Sequence, residues 1–162
     1  MGKFVAILLA LVILSGCATF NVSQQNFDPN YNCTEAALKA YRFLTSTGNE
    51  YRLVIGFRYD IIGEDVGYGG HAWIEYKEPD GEWKVFDTYI TVMEDMVSRY
   101  VPVIWGKDAE KYFIVEDKYH QMGYDAQIVI TSFLDENGNN ISYIISVLYK
   151  LKDDTEWKRH SF

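Results

Sequence analysis

The sequence predicts an α+β domain, one helix followed by an antiparallel sheet, on three observations. "NCTEAALKAYRFLTSTG" carries a helix-start signal and a helical apolar period. "GGHAWIEYKEPDGEWKVFDTY" holds two segments of alternating polarity around a tight-turn signal. "AQIVITSFLDENGNNISYIISVLYKL" joins two β-rich segments through an Asn-Gly turn. Strands grouped after a leading helix, without regular βαβ alternation, point to α+β architecture.

In the helix, Asn32 is a suitable N-cap and Glu35, three residues on, makes a capping-box-like pair. Ala37, Ala40, Tyr41 and Leu44 repeat at helical spacing, Gly48 marks the end, and Cys33 falls in the first turn. "EYRLVIGFRYD" follows as a strand and "IIGEDVGYGG" as a Gly-rich loop leading into the histidine hairpin. Beyond it, "TVMEDMVSRY" is a candidate helical stretch, "KYFIVED" a strand, and the chain ends in the long hairpin. Residues 31–162 form one domain, with no internal repeat or low-complexity tract.

The N-terminus, "MGKFVAILLALVILSGC", has one lysine, an apolar run from Phe4 to Leu14 and then small residues. A run that short does not span roughly 30 Å of hydrocarbon as a helix, and its layout is that of an export signal, residues 1–16. "LSGC" resembles the lipobox of prokaryotic lipoproteins, which implies that Cys17 is lipidated and becomes the first mature residue. By the same resemblance Ala18, where an aspartate is absent, implies the outer membrane in two-membraned bacteria and otherwise the cell surface. Residues 17–30, polar and without period, read as the lipidated tether.

Of 162 residues, 146 remain after removal of 16, enough for one domain with an adequate core. Losing Lys3 takes the formal charge from −8 to −9, and no Lys/Arg cluster is present. That balance argues against nucleic acid as a partner and against broad contact with anionic lipid, so the expected membrane link is the acyl anchor. With Cys17 assigned to the lipobox, Cys33 remains as a thiol in an exported protein. It is either buried as a small apolar side chain or used as a reactive group.

The hairpin turn narrows the choice. In "EPDGE", Pro79 and Asp80 suit a type I turn and Gly81 the positive φ of a following bulge, giving a three-residue loop. Glu78 then faces Glu82, opposed residues sum to 160, and Asp87 lies diagonal to His71 on one sheet face. Diagonal neighbours about 7 to 8 Å apart at the backbone can share a hydrogen bond. Donation from Nδ1–H to Asp87 would fix the tautomer and favour imidazolium, and a one-residue slip would separate the pair. A core histidine satisfied by neighbours is the alternative. A cysteine at a helix start gains from the first-turn N–H groups, which favour thiolate by about 0.3 to 1 kcal/mol and can also receive an oxyanion.

Cys33 opening a helix, "YRLVIG" on the next strand, "GHAWIEY" and "WKVFDTY" together resemble the transglutaminase-like superfamily, relatives of the papain-like cysteine proteases. The resemblance covers residues 31–90. It implies a papain/transglutaminase-like core in which the Cys-bearing helix packs on the antiparallel sheet. It also implies a catalytic triad of Cys33 as nucleophile, His71 as general base and acid, and Asp87 as orienter. No cofactor is expected, and no metal site, because no His/Cys pair has ligand spacing. His120 and His160 read as surface groups, and "DENGNN" lacks the glycine and glutamate of a calcium loop. Thirteen tyrosines suit either a binding groove or the sheet core.

Three functions fit. One is a membrane-anchored cysteine-dependent acyl-transfer enzyme of the cell envelope, a peptidase, amidase or transglutaminase acting on peptide or protein amides. A second is a non-catalytic lipoprotein of the same fold that binds peptide or an envelope component. A third is a structural protein in which Cys33 is merely buried. On the first reading, Asp87→Asn is expected to lower activity and spare the fold.

Overall fold

In the computed structural model the described residues are 8–13, 32–89, 96–135, 137 and 139–162. Cys17 and the tether lie outside them. The order is β1 (Leu8–Ile13), α1 (Cys33–Thr45), β2 (Tyr51–Ile62), β3 (Asp65–Lys77), β4 (Trp83–Phe86), β5 (Met96–Trp105), α2 (Lys107–Gln121), β6 (Tyr124–Leu134), β7 (Asn140–Leu151) and β8 (Lys158–Arg159). The strands form two antiparallel sheets, ordered β4-β3-β2-β5 and β1-β6-β7-β8. The chain is therefore mixed α and β with antiparallel sheets and few helices.

Helix α1 begins as its residues dictate. The Asn32 side chain accepts from the Glu35 amide at 2.8 Å, which satisfies one of the unpaired N–H groups of the first turn. The Glu35 carboxylate reaches Lys39 at 2.7 Å along the helix, so the cap is a single bond rather than a reciprocal box. Cys33, Ala37 and Leu38 join Leu53, Ile55, Ala72 and Ile74 in one buried cluster, to which Ala109 and Phe113 of α2 and Ile128, Ile130 and Val147 of the second sheet belong. Both helices and both sheets thus meet in a single core.

The β3–β4 hairpin has the expected turn. Glu78 N donates to Glu82 O at 2.8 Å and Gly81 N to Glu78 O at 2.9 Å, with Gly81 at φ 90°. The register pairs Ile74 with Phe86 and Lys77 with Trp83, so opposed residues sum to 160.

Three segments differ from the sequence reading. "IIGEDVGYGG" is not a loop: β2 and β3 run through it and meet at a tight turn after Ile62, where Gly63 takes φ 61°. "TVMEDMVSRY" is not helical where it is described, since Met96–Tyr100 open the edge strand β5. Pro102 fits that edge position, where its missing N–H costs no ladder bond. "KYFIVED" is not a strand but the middle of α2, so the described residues contain two helices rather than the one expected. Ala109, Phe113 and Glu116 form the buried α2 face at i, i+4 and i+7, and acidic residues in the first turn with basic ones in the last suit the helix dipole.

Leu8–Ile13, inside the segment assigned to the export signal, pairs with β6 from Leu8↔Leu134 to Ile13↔Val129. An uncharged run of Leu, Val and Ile meets the needs of an export h-region and of an edge strand alike.

Candidate active site

Residues one apart on a strand face opposite ways. The β2–β3 register pairs Arg52 with Glu75, Val54 with Trp73, Gly56 with His71 and Arg58 with Gly69. On one face of the sheet β3 therefore carries His71, Trp73 and Glu75, while Ala72 and Ile74 turn to the core cluster. Continuing the β4 register sets Asp87 beside Trp73 and diagonal to His71.

His71 Nε2 and Asp87 Oδ2 are 2.6 Å apart. His71 is 2% exposed and the Asp87 side chain 1%. Asp87 also accepts from the Tyr100 hydroxyl at 2.9 Å and, through Oδ1, from the Tyr89 amide at 2.9 Å, while Arg58 Nη1 lies 3.6 Å from Oδ2. Burial alone would raise the Asp87 pKa. The bond and charge of His71, with the bonds from Tyr89 and Tyr100, outweigh it and hold the carboxyl below the usual carboxylate range.

An ionised Asp87 only accepts, so Nε2 carries the hydrogen and Nδ1 is the basic nitrogen of the neutral ring. This corrects the Nδ1–H bond expected from the sequence: the ring is turned, and Nε2 faces the aspartate. Arg58 donates through Nε to Asp60 at 2.8 Å, and Ser98 donates to the same oxygen at 2.6 Å. Burial would lower the Arg58 pKa, but the bond to Asp60 and the nearby negative charges more than offset it. Arg58 contributes +1 and Asp60 and Asp87 −1 each, so a proton on His71 makes the group neutral. Burial and the Asp87 charge push the Tyr100 pKa up, which keeps the phenol a donor.

Aromatic rings enclose the imidazole. Trp73 lies nearly parallel to it at 6.1 Å between centroids, with Tyr100 at 6.2 Å and Tyr89 at 6.4 Å. The Trp73 indole N–H donates to Glu75 at 3.3 Å, and Glu75 binds Arg52, whose guanidinium lies over Trp83 at 4.1 Å. Low polarity around the ring strengthens the His71–Asp87 attraction by excluding water.

Of the sequence-predicted residues, His71 and Asp87 are joined directly. Cys33 starts the helix that packs on β3 and shares the buried cluster with Ala72, the residue after His71. Its side chain is 0% exposed. Arg58 and Tyr100 escaped the sequence reading. Recognising Gly63 as a hairpin turn would have set Arg58 two positions from Gly56 on the His71 face. Tyr100 depends on the pairing of β5 with β2, a long-range contact with no local signal. His160 lies apart, bonded to the Tyr119 hydroxyl and edge-on to its ring, which stacks on Tyr149 of β7.

Among the described residues no group of three or more His, Cys, Asp or Glu is placed to hold a metal, and no helix is long and apolar enough to cross a membrane. No protein-family model, curated protein or solved structure matches the chain.

Proposed function

We propose that the chain is a transglutaminase-like, cysteine-dependent acyl-transfer enzyme with a papain/transglutaminase-like core, held at the cell envelope by lipid on Cys17. The observation that carries this reading is the 2.6 Å bond between buried His71 and Asp87, on the strand against which the Cys33 helix packs. A carboxylate bound to Nε2 fixes the other nitrogen as base and stabilises the imidazolium formed when it takes a proton.

In this mechanism Nδ1 of His71 removes the Cys33 proton and the thiolate attacks a substrate amide carbonyl. First-turn N–H groups of α1 receive the developing oxyanion. Imidazolium then protonates the departing amine, leaving a thioester on Cys33. Water resolves it in a peptidase or amidase, an amine in a transglutaminase.

A second reading, a non-catalytic peptide- or envelope-binding lipoprotein, is favoured by one observation: Cys33 is fully covered in an apolar cluster. A covered thiol must be uncovered before an amide reaches it. The two readings separate in the rate of Cys33 alkylation by iodoacetamide against pH, measured on the purified protein. The enzyme reading expects appreciable reaction at neutral pH, with a midpoint well below the ordinary thiol value of about 8.5. Inertness, or a midpoint near that value, supports the non-catalytic reading. Membrane fractionation of Cys17→Ser checks the anchor: the variant should become soluble.

A further inference from the structure

Below the start of α1 lies a carboxyl the mechanism does not use. Glu116, on α2, is 3% exposed, and its Oε1 has no hydrogen-bond partner. The other side of the carboxyl meets the Thr34 hydroxyl and the Ile128 amide. Thr34 follows Cys33, and its hydroxyl is 2.6 Å from Asn32 Oδ1, the oxygen that also accepts from the Glu35 amide at 2.8 Å.

A hydroxyl has one proton. Asn32 Oδ1 is an acceptor, so Thr34 directs its proton there and presents only lone pairs to Glu116. A lone pair facing an ionised carboxylate is repelled, whereas facing a protonated carboxyl it accepts. With Thr34 donating to Asn32, the donors run one way: Glu116 O–H to Thr34, and Thr34 O–H to Asn32 Oδ1, which also accepts from the Glu35 N–H.

We propose that Glu116 is a positioning residue for Cys33, its protonated carboxyl completing the hydrogen-bond chain that caps the helix start carrying the thiol. This rests on the enzyme reading for its catalytic consequence, though not for the chain itself. Burial pushes the Glu116 pKa up to about 8. A Thr34 hydroxyl turned toward the carboxyl would pull it down, a pull withdrawn while that proton lies on Asn32; the Ile128 amide pulls it down, and the charges of Glu35 and Asp117 push it up. Facing cations are engaged elsewhere: Lys39 holds Glu35 and Arg42 holds Asp117, while His120 Nε2 lies 4.0 Å from Oε1, beyond bonding distance. From β6 the facing donor is the Ile128 amide.

The folded pKa is above the ordinary 4.5. The stability Glu116 contributes is therefore complete below about 4.5 and is lost as pH rises through about 8. Ionisation there forces Thr34 to turn from Asn32 to the carboxylate, loosening the cap and placing a negative charge beside the thiolate.

The experiment follows the Glu116 carboxyl carbon and the Glu35 amide by NMR from neutral to alkaline pH. It also compares Cys33 alkylation at neutral pH in wild type, Glu116→Gln and Glu116→Leu. The carboxyl should be protonated at neutral pH and the Glu35 amide should shift with the same midpoint, a shift absent from Glu116→Gln. Glu116→Leu, which lacks a donor to Thr34, should alkylate about two- to fivefold more slowly, and Glu116→Gln, which keeps one, should recover the loss. An ionised carboxyl at neutral pH, or a Glu35 amide blind to the midpoint, overturns the chain whatever the thiol does. A titrating chain with equal alkylation in all three proteins overturns the positioning role. If wild-type Cys33 is inert while the NMR shifts are as expected, the enzyme reading fails and the Glu116 chain stands.

Discussion

Asp87→Asn is expected to slow Cys33 alkylation at neutral pH and to lower turnover by up to about 10⁴, the scale seen when a triad loses its orienting carboxylate. The structure adds a second effect. Asp87 receives His71 Nε2, the Tyr100 hydroxyl and the Tyr89 amide, with Arg58 close by. An asparagine has one acceptor oxygen. Whichever way it turns, its NH₂ meets at least one of these donors, and the Arg58 charge loses a counter-charge in a buried setting. Breaking a buried charged pair by removing one partner costs about 3 kcal/mol or more, a fall in Tm on the order of 10 °C for a domain this size. The sequence reading, which spares the fold, is revised accordingly. Tyr100→Phe separates the effects: it removes one donor and leaves the carboxylate on Nε2, so Tm should fall by a few degrees with alkylation largely retained. An Asp87→Asn protein alkylated at the wild-type rate would remove Asp87 from the site.

Gly56→Ala should be among the most destabilising small substitutions in the chain. A Cβ at Gly56 would meet Trp73 Cη2 at 2.8 Å, Pro102 Cα at 2.9 Å and, closest, the Val101 carbonyl oxygen. Two of the three are backbone atoms of β5, at the point where the β2–β5 register shifts between Ile55 and Gly56. The third belongs to the indole beside His71. Neither side can give without cost: moving β5 breaks ladder bonds and shifts Tyr100, and moving Trp73 opens the ring box around the imidazole. Overpacking of this kind costs about 1 to 3 kcal/mol, and backbone atoms place this site at the upper end. Urea unfolding should show that loss together with slower Cys33 alkylation. A variant within about 0.5 kcal/mol of wild type would mean that β5 is not held against Gly56 as described.

What the sequence revealed was local. The Pro-Asp-Gly turn set the β3–β4 register, and with it the approach of Asp87 to His71, because a tight turn leaves one pairing. Asn32 and the alanine spacing located α1 for a similar reason: caps and periods are written in neighbouring residues. The α2 helix was misread because Tyr112, Phe113, Ile114 and Val115 are contiguous apolar residues, which suit a strand as well as a helix. Packing chose between them, burying Ala109, Phe113 and Glu116 against α1 and the second sheet. Tyr100 and Glu116 reach their partners across 13 and 82 residues of chain, respectively to Asp87 and Thr34. Neither distance leaves a trace in local composition. The ring nitrogen facing Asp87 was likewise fixed by packing, with Trp73, Tyr89 and Tyr100 holding the imidazole plane.

The central claim is that Cys33 and His71 ionise as a pair, with Asp87 holding the ring. It is tested most directly by the NMR titration of His71 in wild type and in Cys33→Ser, which keeps the shape of the thiol but cannot ionise near neutral pH. If thiolate and imidazolium stabilise each other, removing the thiolate should lower the His71 pKa by at least about one unit while the Asp87 bond is retained. Superimposable His71 titrations in the two proteins would contradict the pair and leave Cys33 as a buried core residue.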